Sequence, residues 1–594
     1  MNSIWNNNIS AFSKRFPGLA EAYKDIINLP KETLTKIWSV TQAKNGSYTA
    51  SEENLRLHST YNPDREAEQG VNGIISSKKN TIVFMGFGLG YHVCKLAEKL
   101  WELKKIKDTK VVVIEPDPVH FFAALCFIDW TKVFDIEKLV LAIGCPIDSI
   151  MSLLENQNQI VLGEEGVSDA FFFTLPAFTN HAQNYFDTVK ILIERNKSKN
   201  DINAATYEKF GKLWARNSIK NINALSVHRT LAQFREALIN RDFSDKPFLL
   251  IAAGPSLENI LPYVKELQKK AVLVCVETAL HSLLRAGVQP DFILLTDPQF
   301  WAYRHIAGLK APDSILICPI SVYPATFRFE CKEILVCSDM FPISQFFEKQ
   351  KGTFGDLGAG GSVASSAWNM CHFMGAKTIY TAGLDLSFPT KQTHIRGSSS
   401  EQTIHTISNK LFSVDKASAR TLHSGNPEYA ENYLGNKVLT DNRMKMFAWW
   451  FESRIASCPE IKTFTLTPES MKIPGIQIGE VCELLALPDL DRNKLFEEKL
   501  DSIKHSDFNI EIKAYNKAVN ELSSIINTAV EKSMINGPDL QKELELIQLQ
   551  IEQNPLKEIV HLGKPSKKYL SEHQNESPEL LVYKKLQKEI GFYK

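Results

Sequence analysis

The residues Pro247-Phe-Leu-Leu-Ile-Ala-Ala-Gly254-Pro-Ser256 indicate the fold of the middle of this chain. Its uncharged, mostly apolar run predicts a strand that is buried on both faces of a sheet. Gly254-Pro-Ser256 then predicts a turn into a helix that begins near Glu258, because glycine tolerates a tight turn and proline favours a helix start. Further apolar runs of strand length lie near Val272–Val276, Phe292–Leu295, Ser314–Cys318, Glu333–Val336 and Thr378–Thr381. Strands that alternate with helices in this way indicate a doubly wound parallel sheet.

A second unit of the same kind precedes it. Thr81-Ile-Val-Phe-Met85 predicts a buried strand, Gly86-Phe-Gly-Leu-Gly90 a turn, and Lys110–Ile114 the next strand after an intervening helix. Residues before about 75 are expected to form short helices and loops, and strand and helix alternation is expected to continue to about residue 167. The polar segment 196–203 predicts a linker. Leu-, Glu- and Lys-rich segments with helical spacing follow residue 475, at 492–503, 510–533 and 540–552. We therefore predict an α/β protein with two Rossmann-like doubly wound parallel-sheet domains followed by a C-terminal helical domain. The predicted domains are residues 1–200, 201–475 and 476–594.

The composition excludes several classes of protein. Lys plus Arg and Asp plus Glu both number 68 among the 594 residues, and this balance argues against a nucleic acid partner, whose phosphates attract a basic excess. The N-terminal residues lack the basic flank and apolar run of a secretory signal, and no apolar run approaches the ~20 residues of a membrane helix. Ten scattered cysteines without a CxxC pair are typical of reduced thiols. We expect a soluble, cytoplasmic protein.

The first glycine turn, with Gly86, Gly88 and Gly90, has two interpretations. Glycines after a strand let backbone N–H groups approach a phosphate or cofactor, and Glu115 at the end of the next strand could bind a ribose, as in S-adenosylmethionine methyltransferases. The alternative is a turn that only packs the helix on the sheet. We favour the packing role, because the spacing to Glu115 exceeds that of the dinucleotide fingerprint and no methyl-transfer motif follows.

The central domain carries two glycine turns that predict anion sites. Gly254, Pro255 and Ser256 follow a strand and begin a helix, a position at which N–H groups and a hydroxyl hold a phosphate. Gly358-Ala-Gly-Gly361-Ser362 likewise leads into an apolar helix. A capped helix without a ligand and a flexible connection are the structural alternatives for the two turns.

Polar residues at two predicted strand ends complete the candidate site. Thr296, Asp297 and Gln299 follow one strand, and ligands of open α/β sheets bind at that edge; Asp297 as a turn cap is the alternative. Asp385 ends another strand and could accept a hydrogen bond from a sugar hydroxyl. The loop after it carries His394, which can take a hydroxyl proton, and Arg396, which can clamp a phosphate. A surface role is the alternative for His394.

Six short motifs spread over nearly the whole chain carry a family resemblance. They are Leu57-His-Ser-Thr-Tyr-Asn-Pro-Asp-Arg-Glu-Ala67, Gly86-Phe-Gly-Leu-Gly-Tyr-His92, Ala253-Gly-Pro-Ser-Leu257, Thr296-Asp-Pro-Gln299, Gly360-Gly-Ser-Val-Ala364, and Gly383-Leu-Asp-Leu-Ser-Phe388 with Thr393-His394. Together they resemble the motility accessory factor family. Its members are understood to transfer a nonulosonic acid, such as pseudaminic or legionaminic acid, from a CMP-activated donor to Ser or Thr of flagellin before export.

This resemblance implies a cytoplasmic glycosyltransferase that flagellum assembly and motility require. Flagellin and a CMP-sugar would be its partners, with no metal and no cofactor required. The family's central domain is similar to bacterial sialyltransferases and is flanked by an N-terminal Rossmann-like domain and a C-terminal helical domain. Carried over to this chain, Gly254, Pro255 and Ser256 would approach the CMP phosphate, and Asp297 would lie beside the cytidine or its ribose. Gly361, Ser362 and Asp385 would line the donor pocket.

The resemblance leaves the catalytic base open. In the sialyltransferases a base histidine falls in the region that here reads Val438-Leu-Thr-Asp-Asn-Arg-Met444, and this chain has no histidine there. His394, His405, His423 and Asp441 are the candidates for the base, and His394, Asp385 and Asp441 are our candidate catalytic residues.

Two other functions fit some of the same motifs. The Gly-Pro-Ser and Thr-Asp-Pro-Gln elements also resemble pterin diphosphokinases, which would use ATP and Mg²⁺ with Asp297 as a metal ligand. A non-catalytic chaperone for flagellin, built on a degenerate transferase fold, is the other alternative.

Overall fold

The computed structural model describes residues 2–147, 149–150, 170–240, 242–358, 360–499, 507–535, 539–563, 565 and 577–593. The chain divides into two compact units, Met1–Ala204 and Ala205–Lys594, and the boundary falls inside the helix Gln183–Asn221. The predicted linker at 196–203 lies directly before the boundary between the two units, but it is part of this helix and not a loop. The segment contains neither Pro nor Gly, and its polar residues are compatible with a helix interior.

The described residues of the first unit form seven strands: β1 Ser39–Gln42, β2 Tyr48–Glu52, β3 Leu55–Arg56, β4 Thr81–Met85, β5 Lys110–Glu115, β6 Lys138–Ile143 and β7 Phe171–Thr174. Its helices, apart from the one at the boundary, are Asn2–Arg15, Pro17–Ala22, Lys24–Ile27, Lys31–Leu34, Pro63–Ser76, Tyr91–Glu102, Pro118–Ala124, Thr131–Phe134 and Pro176–Thr179, with 3₁₀ turns at Thr35–Ile37 and Asn180–Ala182. Residues 151–169, where we expected further strand and helix alternation, lie outside the described residues.

The strands of this unit form two sheets. The order β6-β5-β4-β7 is parallel throughout, as predicted, and β4 is buried along its whole length. Strands β1, β2 and β3 form a small antiparallel sheet in a region that we expected to contain helices and loops only. These strands are short and partly exposed, so they lack the apolar run that identifies a buried strand.

In the second unit the part of the chain that the structure describes forms ten strands: β8 Pro247–Ile251, β9 Val272–Val276, β10 Phe292–Leu294, β11 Lys310–Cys318, β12 Glu330–Val336, β13 Thr378–Ala382, β14 Glu428–Glu431, β15 Lys437–Thr440, β16 Lys462–Thr465 and β17 Ile476–Ile478. Its helices are Ala224–Val227, Leu231–Ala237, Val264–Lys270, Glu277–Arg285, Phe300–Arg304, Pro342–Lys351, Val363–Met374, Ser399–Ile407, Val414–His423, Asn442–Ala456, Val481–Leu485, Arg492–Leu495, Asn509–Ile535, Leu540–Gln553, Lys557–Gly563 and Pro578–Ile590. Turns of 3₁₀ helix lie at Pro255–Asn259, Leu261–Tyr263, Pro324–Arg328, Pro389–Lys391 and Gly591–Tyr593.

Eight of these strands form one parallel sheet in the order β12-β11-β10-β9-β8-β13-β16-β17. The chain builds outward from β8 to β12 on one side and then returns to place β13 on the other side of β8. The doubly wound sheet that the sequence predicts is therefore confirmed. Its switch point, at which the direction of winding reverses, lies between β8 and β13, and ligands of such folds bind there. Strand β17 belongs to this sheet although it lies beyond the predicted boundary at residue 475.

The C-terminal region is helical, as predicted. Asn509–Ile535 and Leu540–Gln553 closely match the expected helices at 510–533 and 540–552, whereas the helix expected at 492–503 is limited to Arg492–Leu495 among the described residues. The apolar side chains of the C-terminal helices share a core with the helix Pro342–Lys351 through contacts such as that of Tyr515 with Phe347. None of the described helices is long and apolar enough to cross a membrane. All ten cysteines lie in described residues and are free thiols, as expected.

Candidate functional site

The site is built on the carboxyl ends of β8 and β13, which are neighbours in the sheet. The turn Gly254-Pro-Ser256 follows β8, and Gly383-Leu-Asp385 follows β13. The N–H of Gly254 donates to the carbonyl of Gly383 at 2.9 Å, so the two turns continue the pairing of the strands. We refer to the space above these two turns as the switch-point crevice.

Ser256 and Asp385 are in direct contact at the base of this crevice. The backbone N–H of Ser256 donates to Asp385 Oδ2 at 3.0 Å, and the Ser256 hydroxyl donates to Oδ1. Both residues are buried. Burial raises the pKa of Asp385 to about 6, against the opposing effect of the hydrogen bonds from Ser256. The Asp385 carboxylate therefore takes the anion position that we predicted for a phosphate at this turn, and Ser256 orients it.

Gly254 is required by the close approach of these two segments. A Cβ atom at this position would lie 2.5 Å from Asp385 Cγ and 2.5 Å from the carbonyl oxygen of Gly383. Pro255 begins the 3₁₀ turn Pro255–Asn259, and the α-helix starts only at Val264. The helix expected near Glu258 is thus displaced by two 3₁₀ turns, which keep the chain close to the sheet edge.

The loop with His394 and Arg396 is fastened to the Gly-Pro-Ser turn. The N–H of Ile395 donates to the carbonyl of Ala253 at 2.9 Å. Arg396 directs its guanidinium at Glu258, with Nε 2.8 Å from Oε1, and its backbone N–H donates to the same carboxylate. This salt bridge engages the Arg396 side chain that we predicted to clamp a phosphate, and it holds the loop over the crevice.

His394 lies near a second histidine, His305, which the sequence analysis did not single out. Burial lowers the pKa of both imidazoles, to about 4 for His305. The nearby His394 and Arg304 lower the pKa of His305 further by charge repulsion. His305 Nδ1 is hydrogen bonded to the Ser399 hydroxyl. Both histidines are half-buried and neutral at neutral pH, which is the state that can accept a proton. His305 follows the Thr296-Asp-Pro-Gln299 motif by six residues. This short distance in the sequence is the feature that could have identified His305 as a candidate site residue.

The carboxyl ends of β9 and β10 place two acidic side chains close together. Asp297 accepts from the N–H of Gln299 at 2.8 Å and from its side-chain amide at 3.2 Å, while Thr296 is half-buried beside them. Glu277, the first residue after β9, is only 4% exposed, and its Oε2 has no hydrogen-bond partner among the described residues. Burial, together with the nearby Asp297, raises the pKa of Glu277 to about 8. A buried carboxyl group with a shifted pKa at a sheet edge marks a functional-site candidate, and the sequence analysis missed it.

Gly361 and Ser362 lie at the start of the helix Val363–Met374, which packs across β8, β9 and β10 before the chain enters β13. Its amino terminus therefore points to the same edge of the sheet as the crevice. Ser362 caps the helix by accepting from the N–H of Ala364 at 3.3 Å. Gly361 has a left-handed backbone, with φ +74°, against the ring of Phe447. Such a helix start offers N–H groups and a positive dipole end to an anion.

The remaining candidate bases occupy other positions. Asp441 is fully buried and caps the helix Asn442–Ala456 by accepting from the N–H of Met444 at 2.9 Å, and it also pairs with Arg443 at 2.8 Å. The Asp441 carboxylate is therefore engaged by groups at the start of this helix. His405 and His423 lie exposed on the helices Ser399–Ile407 and Val414–His423. The geometry therefore favours His394 over the other three as the group beside the crevice.

The N-terminal glycine turn is occupied by protein groups. The N–H of Gly86 donates to the Ile114 carbonyl at 3.0 Å, and the N–H of Leu89 donates to His58 Nε2 at 2.9 Å. Phe178 and Trp130 fill the space beside Gly86, Gly88 and Gly90. Glu115 is buried and hydrogen bonded to His181 at 2.8 Å. These contacts favour the packing role over an adenosine site.

Known proteins resemble this chain in two separate regions. Residues 35–159 match the glycosyltransferase Maf N-terminal domain, and residues 216–391 match the family described as 6-hydroxymethylpterin diphosphokinase MptE-like. Two proteins of Treponema pallidum (strain Nichols), both described as uncharacterized, are 34% identical over 232 residues and 27% identical over 269 residues. These alignments cover 34% and 44% of this chain and 59% and 84% of the relatives. The chain thus spans less than two thirds of the first of these relatives.

A solved structure matches the chain along nearly its whole length. The Maf glycosyltransferase of Magnetospirillum magneticum AMB-1 superposes with a TM-score of 0.52 at 13% sequence identity, covering 99% of this chain and 94% of that one. At this sequence identity the match shows a common fold. Both proteins share the α/β architecture with a helical C-terminal region. The match of residues 35–159 to the Maf N-terminal domain, together with the shared fold, confirms the resemblance to the motility accessory factors that the sequence shows.

Proposed function

We propose that this protein is a cytoplasmic glycosyltransferase that moves a nonulosonic acid, of the pseudaminic or legionaminic type, from a CMP-activated donor to Ser or Thr of flagellin. The reaction would need no metal and no other cofactor, and it would serve flagellum assembly and motility. The observation that carries this proposal is the convergence of the Gly254-Pro-Ser256 turn, Asp385 and the His394 loop at the switch point between β8 and β13. The match to the Maf N-terminal domain supports the same class of enzyme.

The donor phosphate would bind at the start of the helix Val363–Met374. The N–H groups of Gly361 and Val363 have no hydrogen-bond partner within the part of the chain that the structure describes. Free N–H groups at a helix start attract a phosphate. The nucleoside would lie toward Thr296, Asp297 and Gln299 at the end of β10, in the position where such folds hold a ribose or base.

Departure of CMP from the donor builds an oxocarbenium-like centre on the sugar, and the acceptor hydroxyl must lose a proton as it attacks. His394 is the proposed base, because it is neutral at neutral pH and its loop is held against the Gly-Pro-Ser turn. Asp385 would be a positioning residue, since its carboxylate is engaged by Ser256. The electrostatic field of this buried carboxylate would also stabilise the developing positive charge on the sugar.

The proposal is tested by incubating the purified protein with flagellin and either CMP-pseudaminic or CMP-legionaminic acid. Intact-mass analysis of flagellin should show the added mass of the sugar, and peptide mapping should place it on Ser or Thr. His394→Ala should reduce the transfer, whereas the exposed His423→Ala should not. Flagellin that keeps its mass with both donors, although both bind to the protein, would instead support a flagellin chaperone.

A second candidate function rests on the MptE-like match over residues 216–391. A diphosphokinase would use ATP and Mg²⁺, with Asp297 as a metal ligand. The same purified protein is therefore incubated with a hydroxymethylpterin, ATP and Mg²⁺. Formation of AMP and the pterin diphosphate, lost in Asp297→Asn, would replace the glycosyltransferase proposal.

A further inference from the structure

Five acidic and imidazole side chains meet at the carboxyl edge of the N-terminal sheet, within the first unit. They are Glu52, Glu115, Asp117, His120 and His181. The proposed transfer reaction uses none of them. We call these five residues the His–carboxylate cluster.

The cluster is assembled from four separate segments of the chain. Glu52 ends β2 and Glu115 ends β5, whereas His120 lies on the helix Pro118–Ala124 and His181 on the 3₁₀ turn Asn180–Ala182. Glu115 and His120 are buried, at 2% and 7% exposure, and Glu52 and His181 are largely covered as well. Burying charged groups is energetically unfavourable unless they are paired or bind a metal ion. The burial of these acidic and imidazole side chains together therefore indicates that they serve a purpose.

The Nε2 atom of each histidine faces a carboxylate. His120 Nε2 lies 2.9 Å from Glu52 Oε1, and His181 Nε2 lies 2.8 Å from Glu115 Oε1. One ligand atom from each of Glu52, His120 and His181 lies within 4.8 Å of the other two. Glu115 lies outside this group of three and joins it through its contact with His181. The two imidazole rings are parallel, with centroids 4.0 Å apart, so their nitrogen atoms are presented side by side.

The charges and the space in the cluster both fit a small cation. Three carboxylates surround two imidazoles, so the cluster keeps a net negative charge even when both rings carry a proton. A cavity of about 10 Å³ lies among Glu52, Glu115, His120 and His181, which is room for a single water-sized species and for no organic ligand. Imidazole nitrogen and carboxylate oxygen are the donor atoms that Zn²⁺ and related divalent metals take from proteins.

We propose that Glu52, Glu115, His120 and His181 bind one divalent transition-metal ion, with Zn²⁺ as its representative. The ion would take the place of the protons now shared between each Nε2 and its carboxylate. Four donors around Zn²⁺ at its usual bond lengths lie about 3.3 Å apart. The paired donors are at 2.8 and 2.9 Å, so they must separate by a few tenths of an ångström. The unpaired donors of Glu52, His120 and His181 lie within 4.8 Å of one another and must close in on the ion, and Glu115 must turn its carboxylate toward it.

Asp117 has the geometry of a residue that supports a metal ligand. Its carboxylate lies 2.9 Å from His120 Nδ1, and its own backbone N–H donates to Glu115 at 3.1 Å. Metal-binding histidines commonly donate the second ring N–H to a carboxylate, which fixes the tautomer that leaves Nε2 free for the metal. Asp117 would therefore orient His120 without touching the ion.

The site would be structural, because four protein donors close the coordination shell of a tetrahedral ion and leave no position for a substrate. The metal would tie β2, β5, the helix Pro118–Ala124 and the turn Asn180–Ala182 together at one point. Its binding energy would then appear as stability of the first unit.

The test uses the full-length protein, stripped with a chelator and titrated with Zn²⁺ against a competing indicator, with Co²⁺ absorption as a second readout. We expect one tight ion per chain, a rise in the melting temperature on binding, and a Co²⁺ spectrum that reports nitrogen ligands. His120→Ala and His181→Ala should abolish this binding. Asp117→Asn should weaken it by about 10- to 100-fold while keeping the stoichiometry.

The control addresses a second group of potential ligands, His372, Cys458 and Glu460, which lies in the other unit. His372→Ala should leave the tight ion in place. Circular dichroism shows whether each variant is folded, and Glu52→Gln provides a milder change if His120→Ala does not fold. The proposal is overturned if the folded native protein binds no stoichiometric Zn²⁺, or if the bound ion survives His120→Ala and His181→Ala and is lost in His372→Ala.

Discussion

Ser256 and Asp385 are 129 residues apart in the sequence, yet the backbone N–H and the hydroxyl of Ser256 both donate to the Asp385 carboxylate. The contact joins the turn after β8 to the turn after β13 across the switch point of the sheet. The carboxylate is buried, so it depends on these two donors to be stabilised.

Removing the Ser256 hydroxyl should therefore destabilise the folded protein. Ser256→Ala should lower the free energy of unfolding by about 1–3 kcal/mol, because a buried carboxylate loses one of its donors. Urea unfolding followed by fluorescence measures the change. The exposed Ser424, whose hydroxyl bonds only to the local Thr421 carbonyl, provides the control, and Ser424→Ala should stay within about 0.5 kcal/mol of the native protein. Equal effects of the two substitutions would contradict the structural importance of the Ser256–Asp385 contact.

Gly254 should not tolerate even one added carbon atom. In Gly254→Ala the new Cβ would lie 2.5 Å from the Asp385 carboxylate carbon, so the turns after β8 and β13 must move apart. We expect destabilisation by about 1–3 kcal/mol, as is typical of overpacking, together with loss of sugar transfer. Differential scanning calorimetry measures the first effect. Gly591→Ala, at a position with open space around it, is the matched control and should change neither property.

The buried carboxyl group of Glu277 predicts a pH dependence of stability. Its pKa is raised from 4.5 to about 8 by burial, so between these pH values the unfolded chain releases a proton that the folded protein keeps. The stability that this group provides is full below pH 4.5 and is lost as the pH rises through 8. Glutamine does not ionise, so the Glu277→Gln variant does not lose stability in this way. The difference in melting temperature between the variant and the native protein should therefore change in favour of the variant from pH 5 to pH 8.

Melting temperatures across this pH range check the Glu277 prediction. Glu545→Gln, which changes an exposed glutamate on the helix Leu540–Gln553, should keep a constant difference from the native protein. A constant difference for Glu277→Gln as well would mean that Glu277 ionises normally in the folded state.

The assignment of His394 as the base predicts the kinetics of the proposed transfer. His394→Ala should reduce kcat by about 10²- to 10⁴-fold while the donor still binds, and His405→Ala and His423→Ala should have little effect because both side chains are exposed. Burial lowers the pKa of His394, so kcat/KM should stay level from neutral pH down past the usual histidine range near 6.5. A loss of activity already at pH 7, or a full rate in His394→Ala, would assign the base elsewhere, with His305 as the next residue to substitute.

The buried strands could be predicted from the sequence because a parallel strand covered on both faces needs a continuous apolar run. Pro247–Ile251 and Val272–Val276 have such runs, and both are fully buried strands. The short strands β1 to β3 and the end of the helix at Leu495 were missed, since partly exposed segments carry no comparable pattern. The helical structure of segment 196–203 was missed because polar composition alone does not separate a helix from a loop.

The fold class and the edge of the sheet on which the candidate site lies follow from local sequence, because glycine turns and polar residues directly follow apolar strands. The groups that face each other become known only in the folded protein: Asp385 occupies the turn at Ser256, Glu258 holds Arg396, and Glu277 and His305 belong to the same edge. These pairings join residues far apart in the chain, so they depend on strand order and burial. Neither property can be read from local spacing, because the neighbours of a strand end are set by how the whole sheet is wound.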